Sequence, residues 1–509
     1  MADPAPGPSP HPDPDRPAVP DAVGLHDRIR ATVEGRRSAG RYGPGLEDRL
    51  DAHGRTMVAV RAGPGGARPQ FATTGRRARL RRMLARRPSR RGRSGAPALP
   101  IGPDGSIRPL RVLFVVQRYG EEVAGGAELC CREFATRLAE RGHHVEVATG
   151  RAQSAVDWAD VYPPGATELA GVTVHRFDGT GPRDNVAFEA KTVAVLWSGT
   201  LVPVAEQEEW RRLQGPTLPG LLPWLSEQAG RFDVAVHFSY LYTPTWAGLP
   251  VTSPLIPTVL HATAHDEPAF WLPVFDDLFP RPTGYVWFTE EERELLARRG
   301  APRRGTVIGI GTDLDAPGDA RRFRTRFGLG DRPYLLFVGR VEAGKGSEEL
   351  IGFFEAYKER NPGPLALVLV GPAEDRRPHP DIVYTGFVDD TDRSDALAGA
   401  LALAQPSFFE SFSMVLTEAW AQHRPVIAQG RTDVLVGQVR RSGGGVWYSG
   451  FAEFEAAVDL LVSSPELADA LGRSGRRYVE QEYRWTTVLD RYEGMLRRTV
   501  GTRQARPPS

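Results

Sequence analysis

Apolar positions along the chain change period in a regular way. RVLFVV (111–116) is a nearly unbroken apolar run, the pattern of a strand buried on both faces. From Ala127 to Arg141 the period lengthens: Cys130, Phe134 and Leu138 lie four apart, predicting a helix that Gly142 ends. HVEVAT (144–149) returns as a strand, so the segment reads as a strand–helix–strand unit of a parallel sheet. The same order restarts at YLLFVG (334–339), followed by a helix that Ser347 can cap and that carries Leu350, Phe354 and Tyr357. LALVLVG (365–371), IVYTGFV (382–388), LALAQPS (401–407) and RPVIAQG (424–430) continue the series. Two α/β units of similar size therefore flank residue 310, with VIGIGTDLD (307–315) as the hinge. Residues 180–250, with scattered Pro and Trp, read as a less regular insertion that shapes a substrate site.

The pattern divides the 509 residues into an extension (1–107), a first Rossmann-like domain (108–310), a second (311–485) and a terminal helix and tail (486–509). Residues 1–20 are rich in Pro, Asp and Ala and read as disordered; GLHDRIRATVEGRRSAG (24–40) can form a short helix. Arg76 to Arg93 holds ten arginines and no acid. It reads as a solvated linker, as a contact with an anionic membrane face or, as a weaker third option, as a basic tail for nucleic acid. A net charge of +1 gives no overall steering toward nucleic acid. No apolar run reaches the roughly 18 residues of a membrane span, and the N-terminus has no secretory pattern. Adjacent Cys130 and Cys131 cannot face each other on a helix, which fits a reducing cytoplasm. A cytoplasmic location, peripheral at the inner membrane face if the arginines engage lipid, is the expectation.

Ligands of open parallel sheets bind beyond the carboxyl ends of the strands. After the first strand, Gly125 and Gly126 precede a helix, where bare N–H groups suit an anion. The G-x-G-x-x-G fingerprint is missing, and HVEVAT ends without the acidic residue that would hold a ribose, which disfavours a nicotinamide enzyme. After YLLFVG come Arg340 and Lys345. The latter is one of only three lysines in the chain and stands between Gly344 and Gly346. A planar fork and a compact point charge at one strand mouth suit a diphosphate; salt bridges to Glu342 or Glu348 are the plainer alternative. After LALAQPS, Glu410 in the loop and Glu418, about two turns into the helix that follows, are set among Phe408, Phe409, Phe412 and Met414, too apolar a stretch for open surface. Ser411 and Ser413 place hydroxyls at that helix start. His265 and Asp266 follow a strand in the first unit, and His261 reads as structural. No metal-ligand spacing occurs.

Taken together, Gly-Gly-Ala-Glu (125–128), Thr-Ala-His-Asp (263–266), Gly-Arg…Lys-Gly (339–346), Gly-Phe-Val (386–388) and the pair Glu410/Glu418 resemble the retaining GT-B glycosyltransferases of the family 4 group, with a softer likeness to bacterial surface-polysaccharide and glycan-assembly members. The resemblance implies two Rossmann-like domains facing a cleft and transfer of a sugar from a nucleotide donor to a glycan or lipid-linked acceptor, without metal or cofactor. It implies Arg340 and Lys345 on the diphosphate, Glu418 on the ribose, Glu410 on the donor sugar, and Gly386, Phe387 and Val388 at the base. Ser411, Phe412 and Ser413 would lie along the donor, Gly125 and Gly126 would close on the diphosphate, and His265 and Asp266 would lie on the acceptor side. Ser411, Ser413, His423 and Ile310 depart from the family pattern. A GT-B-like binding protein without activity, and a nucleotide-sugar epimerase, are the alternatives.

Overall fold

The computed structural model describes residues 21–42, 45–52, 108–197 and 202–504. Residues 1–20 and the arginine segment Arg76 to Arg93 lie outside the described residues, as does the end of the C-terminal tail. The chain forms two α/β lobes. The first holds an eight-stranded sheet of β1 (Arg111–Val115), β2 (His144–Gly150), β3 (Gly165–Leu169), β4 (Val172–Phe177), β5 (Val234–Phe238), β6 (Thr258–His261), β7 (Gly284–Trp287) and β8 (Gly305–Val307). Their order is β3-β4-β2-β1-β5-β6-β7-β8. Every pairing is parallel except β3 with β4. The second lobe holds six parallel strands, β9 (Tyr334–Val338), β10 (Ala366–Val370), β11 (Ile382–Gly386), β12 (Ala402–Gln405), β13 (Val426–Gln429) and β14 (Gly445–Tyr448), in the order β11-β10-β9-β12-β13-β14. Both central strands, β1 and β9, are buried at four of their five positions, so continuous apolar runs encode them. No helix of the described residues is long and apolar enough to cross a membrane.

Residues 180–250 differ from the expected irregular insertion. They form helices Asn185–Thr192, Val204–Gln214, Leu221–Gln228 and Thr243–Thr252, and they supply β5, which pairs directly with β1. The five-residue run VAVHF is short and contains a histidine, so burial on both faces, which the sequence shows only weakly, is what makes it a strand.

The helices that bear on the site are named in chain order: α1 (Ala22–Ser38), α2 (Leu46–Leu50), α3 (Gly126–Glu140), α4 (Glu290–Arg298), α5 (Ser347–Arg360), α6 (Met414–Ala421), α7 (Asp433–Ser442), α8 (Phe451–Ser463), α9 (Pro465–Glu482) and α10 (Trp485–Gln504). Helix α3 buries Cys130, Phe134 and Leu138, the residues of the four-apart stripe, and both cysteines are free. Helix α10 leaves the second lobe and packs on the first. Arg141 binds its Asp490 and Glu493, and Tyr492 hydroxyl meets His261 Nε2 at 3.0 Å.

Within the extension, the single short helix expected over 24–40 becomes a docked pair, α1 and α2. Helix α1 buries Leu25, Ile29 and Val33 and packs on β14 and α8 of the second lobe. His26 stacks on Trp447 with ring centroids 4.3 Å apart. Asp51 accepts the Phe451 N–H at 2.8 Å, at the start of α8. The contact centres on Glu455, whose side chain is wholly buried. It accepts from Tyr42 hydroxyl (2.9 Å), Asn361 (3.0 Å), Arg360 Nε (2.9 Å) and Arg36 (3.4 Å). Burial alone would raise this carboxyl; Arg360, Asn361 and Tyr42 hold it below the usual carboxylate range. Glu455→Ala removes the buried acid that Arg36, Arg41 and Arg360 share, leaving Arg36 with Asp459. It is expected to destabilise the fold by about 3 kcal/mol in a denaturant titration, the scale of breaking a buried pair. A change within about 0.5 kcal/mol, typical of surface substitutions, would show that α1 is not anchored there.

Candidate active site

The carboxyl ends of β9 and β12 lie side by side, and this brings Lys345 and Glu410 together across 65 residues of sequence. Beyond β9 the chain makes a 3-10 turn over Ala343–Lys345, then Gly346 at φ 72° starts α5. Glycine is needed here twice over. Its φ lies in the left-handed region, and a Cβ would lie 2.2 Å from the Pro406 carbonyl oxygen. That contact presses the lysine loop onto the loop after β12. Lys345 Nζ then reaches Glu410 Oε1 at 3.1 Å, with the lysine side chain 39% and the glutamate 11% exposed. The cation is held on one side by a mostly buried carboxylate and open on the other. The two other lysines serve elsewhere: Lys191 binds Glu206 and Glu209, and Lys358 is buried against Asp381.

Arg340 behaves differently. Its side chain is 68% exposed and its guanidinium pairs with Glu342 at 3.2 Å, the plainer of the two readings open from sequence. Glu410 has a neighbour that sequence reasoning missed, Gln405 at the end of β12. Its amide nitrogen donates to Ser413 Oγ at 2.7 Å and lies 3.4 Å from Glu410 Oε1. Its signal was a lone amide closing an apolar strand.

Ser413 sits at φ 70° immediately before α6, a conformation costly for a residue with a side chain. Phe412 is buried, ringed by Tyr483 and Phe288, and its carbonyl accepts from Gln438. The Ser411 carbonyl accepts from Thr289 of the first lobe at 3.1 Å. Glu418 stands one turn, not two, into α6 and is partly buried, with Arg393 at 3.4 Å. Burial raises its pKa, Arg393 opposes that, and Asp390 and Asp313 add to it. At the end of β11, Gly386 takes φ 72°, Phe387 is exposed and Val388 packs partly on the core. Among the departures from the family pattern, His423 adopts φ 57° just past α6 and Ile310 is buried.

From the first lobe, α3 aims its amino end at this region. Gly125 is its N-cap, and a Cβ built on Gly126 would lie 3.8 Å from the Met414 methyl at the start of α6. The two helix amino ends thus approach across the cleft. Beneath Gly125 lies another pair the sequence reading passed over: Arg118 donates to Glu128 through Nε at 2.9 Å and a terminal nitrogen at 2.6 Å, both side chains nearly buried. His265, a third exposed, has Glu267 at 3.8 Å. Asp266 is committed to Trp271 Nε1 at 2.8 Å, with Arg298 at 3.7 Å, so its role in this structure is to shape the loop. A small cavity between the lobes is lined by Ala264, Asp266 and Glu292 from one side and Phe408, Phe409 and Glu410 from the other. The loop of His265 therefore shares a cavity wall with the Lys345–Glu410 pair.

Chemically, one half-open cation, one ordered carboxylate and two facing helix amino ends can hold an anionic leaving group beside a reacting carbon. Residues 319–478 match the family model of glycosyl transferases group 1. D-inositol 3-phosphate glycosyltransferase of Gordonia bronchialis is 28% identical over 428 residues, 76% of this chain and 86% of that protein. The protein of the same name from Kineococcus radiotolerans is 29% identical over 75% of this chain and 92% of its own length. Among solved structures, sucrose-phosphate synthase of Thermosynechococcus elongatus superposes with a TM-score of 0.59 at 18% identity, covering 77% of this chain and all of that one. Anabaena HepE in complex with UDP-glucose gives 0.55 at 16% identity, covering 76% and 99%. The fold is GT-B, and residues 319–478, most of the second lobe, are where the chain resembles the group 1 glycosyl transferases.

Proposed function

We propose that the protein transfers a sugar from a nucleotide diphosphate sugar to an acceptor hydroxyl with retention of anomeric configuration. The observation that carries this reading is the Lys345–Glu410 pair at the mouths of β9 and β12. Breaking the bond to the diphosphate builds negative charge on the leaving group and positive charge on the sugar. Lys345 and the amino ends of α3 and α6 stabilise the first without reorganising, and Arg340 joins them by swinging inward from Glu342. Glu410 faces the second. Glu418 takes the ribose and residues 386–388 the base. The acceptor enters past His265, and its hydroxyl proton passes to the departing phosphate on the same face of the sugar. These fixed charges supply the role a metal would play on the diphosphate, so transfer proceeds in the presence of a chelator.

Glu410→Gln removes the carboxylate charge while keeping its shape. Transfer is expected to fall on the order of 10²-fold, the scale of losing one preorganised electrostatic group, when sugar product is followed by chromatography with excess acceptor. Unchanged donor hydrolysis and unchanged transfer would remove Glu410 from the sugar site.

The acceptor is read as a glycan or lipid-linked sugar of cell-envelope assembly. The curated relatives favour a second reading, since they are named for glycosylation of D-inositol 3-phosphate. A panel containing inositol phosphate, free monosaccharides and lipid-linked sugars separates the two by which acceptor turns donor hydrolysis into glycoside formation.

A further inference from the structure

The first turn of α4 touches three places at once. Thr289, its N-cap, accepts the Glu292 N–H at 3.2 Å and donates its hydroxyl to the Ser411 carbonyl in the second lobe. Glu291 crosses to α7 and grips Arg441 with both oxygens, at 2.7 and 3.0 Å. It lands directly over Gly437, where a Cβ would lie 1.9 Å from its Oε1, so the approach depends on a residue without a side chain. Glu292 turns the other way, into its own lobe, where it is buried. Its oxygens accept the N–H groups of Phe288 at 2.7 Å and Ala264 at 2.9 Å. The second of these fixes the loop in which Thr263 takes φ 50° and His265 follows. Phe288 reinforces the junction against Phe412, ring centroids 6.2 Å apart.

We infer that Thr289, Glu291 and Glu292 form an inter-lobe clasp, with Arg441 as its receptor, that sets the acceptor loop of His265 against the donor loop of Glu410–Ser413 when the lobes close. These are positioning residues; none is assigned a contact with either substrate. Two adjacent acids pointing to opposite lobes tie closure to loop placement mechanically: the turn that grips Arg441 also carries the carboxylate that holds Ala264. The coupling to transfer rests on the donor-site reading above, whereas the clasp itself does not.

The test uses full-length wild type, Glu291→Ala, Arg441→Ala, the double variant and Arg441→Lys, each checked for folding by its thermal melt. Small-angle X-ray scattering should show the two alanine variants expanded relative to wild type, the double variant expanded no further, and Arg441→Lys intermediate. Transfer rates should follow the same order. kcat is expected to fall about tenfold in each single variant, within what a misplacement of about 1 Å can cost, with no further loss in the double variant, as expected of partners in one interaction. Affinity for the nucleotide diphosphate alone should hold within about twofold, since most of its proposed contacts (Lys345, Glu418 and residues 386–388) lie on the second lobe. Scattering curves of the single variants identical to wild type would overturn the clasp, and so would additive losses in the double. Expanded variants with undiminished kcat would overturn the coupling. A wild type inactive with every donor would count against the proposed function and leave the scattering result to decide the clasp.

Discussion

Lys345→Ala is expected to lower sugar transfer on the order of 10²-fold, about 2.7 kcal/mol of transition-state stabilisation. The lysine is half-open, and among the described residues its ion-pair partner is Glu410, across a loop contact that Gly346 makes possible. A donor diphosphate entering the cleft meets this cation already placed, so its charge costs no reorganisation as the bond breaks. Loss should fall on kcat as well as on donor affinity, because charge on the leaving group grows toward the transition state. Arg340→Ala is the matched comparison. Arg340 is 68% exposed and paired with Glu342, so it must swing inward and give up that pair. Its removal is expected to cost less than the removal of Lys345, on the order of tenfold, since a donor that must first reorganise contributes less. Equal, near-normal rates in both variants would remove the diphosphate from the β9 loop.

Acidification below pH 6.5 is expected to unload stability through two histidines. His237 bonds Thr252 at 2.8 Å, and His261 stacks on Phe238 with centroids 4.2 Å apart while meeting Tyr492 of α10. Both are fully buried, and burial lowers each pKa to about 3 from an ordinary 6.5. The unfolded chain therefore binds more protons than the native state between those values. Stability is complete above pH 6.5 and declines as pH falls, by up to about 1.4 kcal/mol per unit for each histidine. Glu292 works in the opposite sense. Burial raises its pKa to about 7 from 4.5, so in that window the fold holds the extra proton and gains on acidification. The difference between variants isolates the histidine contribution. Stability of His237→Gln, measured by denaturant titration from about pH 6.5 to 5, should fall less steeply than wild type by about one proton's slope. Parallel curves would mean that His237 titrates normally in the fold.

How much of this was legible in the sequence differs from element to element. β1 and β9 were readable because a strand buried on both faces must be continuously apolar. Lys345 stood out because glycines on both sides signal backbone that needs room. Its partner was not readable as such, because the Lys345–Glu410 contact depends on β9 and β12 being neighbours in a sheet whose sequence order is different. The outward pose of Arg340 follows from a side chain choosing Glu342 two residues away, a local option that sequence leaves open. The clasp was invisible for a related reason: Glu290, Glu291 and Glu292 look like an acidic helix start, and only the lobe arrangement sends the last two in opposite directions. Helix α1 was partly readable. Leu25, Ile29 and Val33 lie four apart, but the surrounding arginines mask the stripe until Glu455 and Asp459 are seen to receive Arg36.

If Lys345 and Glu410 mark a nucleotide-sugar site, a thermal-shift titration with GDP-, UDP-, ADP- and dTDP-sugars will find a donor that binds there. One donor should raise the melting temperature of the wild type, corresponding to about 2.7 kcal/mol at a hundredfold excess over its Kd, and the same concentration should shift Lys345→Ala far less. A wild type that no nucleotide sugar stabilises, or a Lys345→Ala variant stabilised equally, would contradict that assignment.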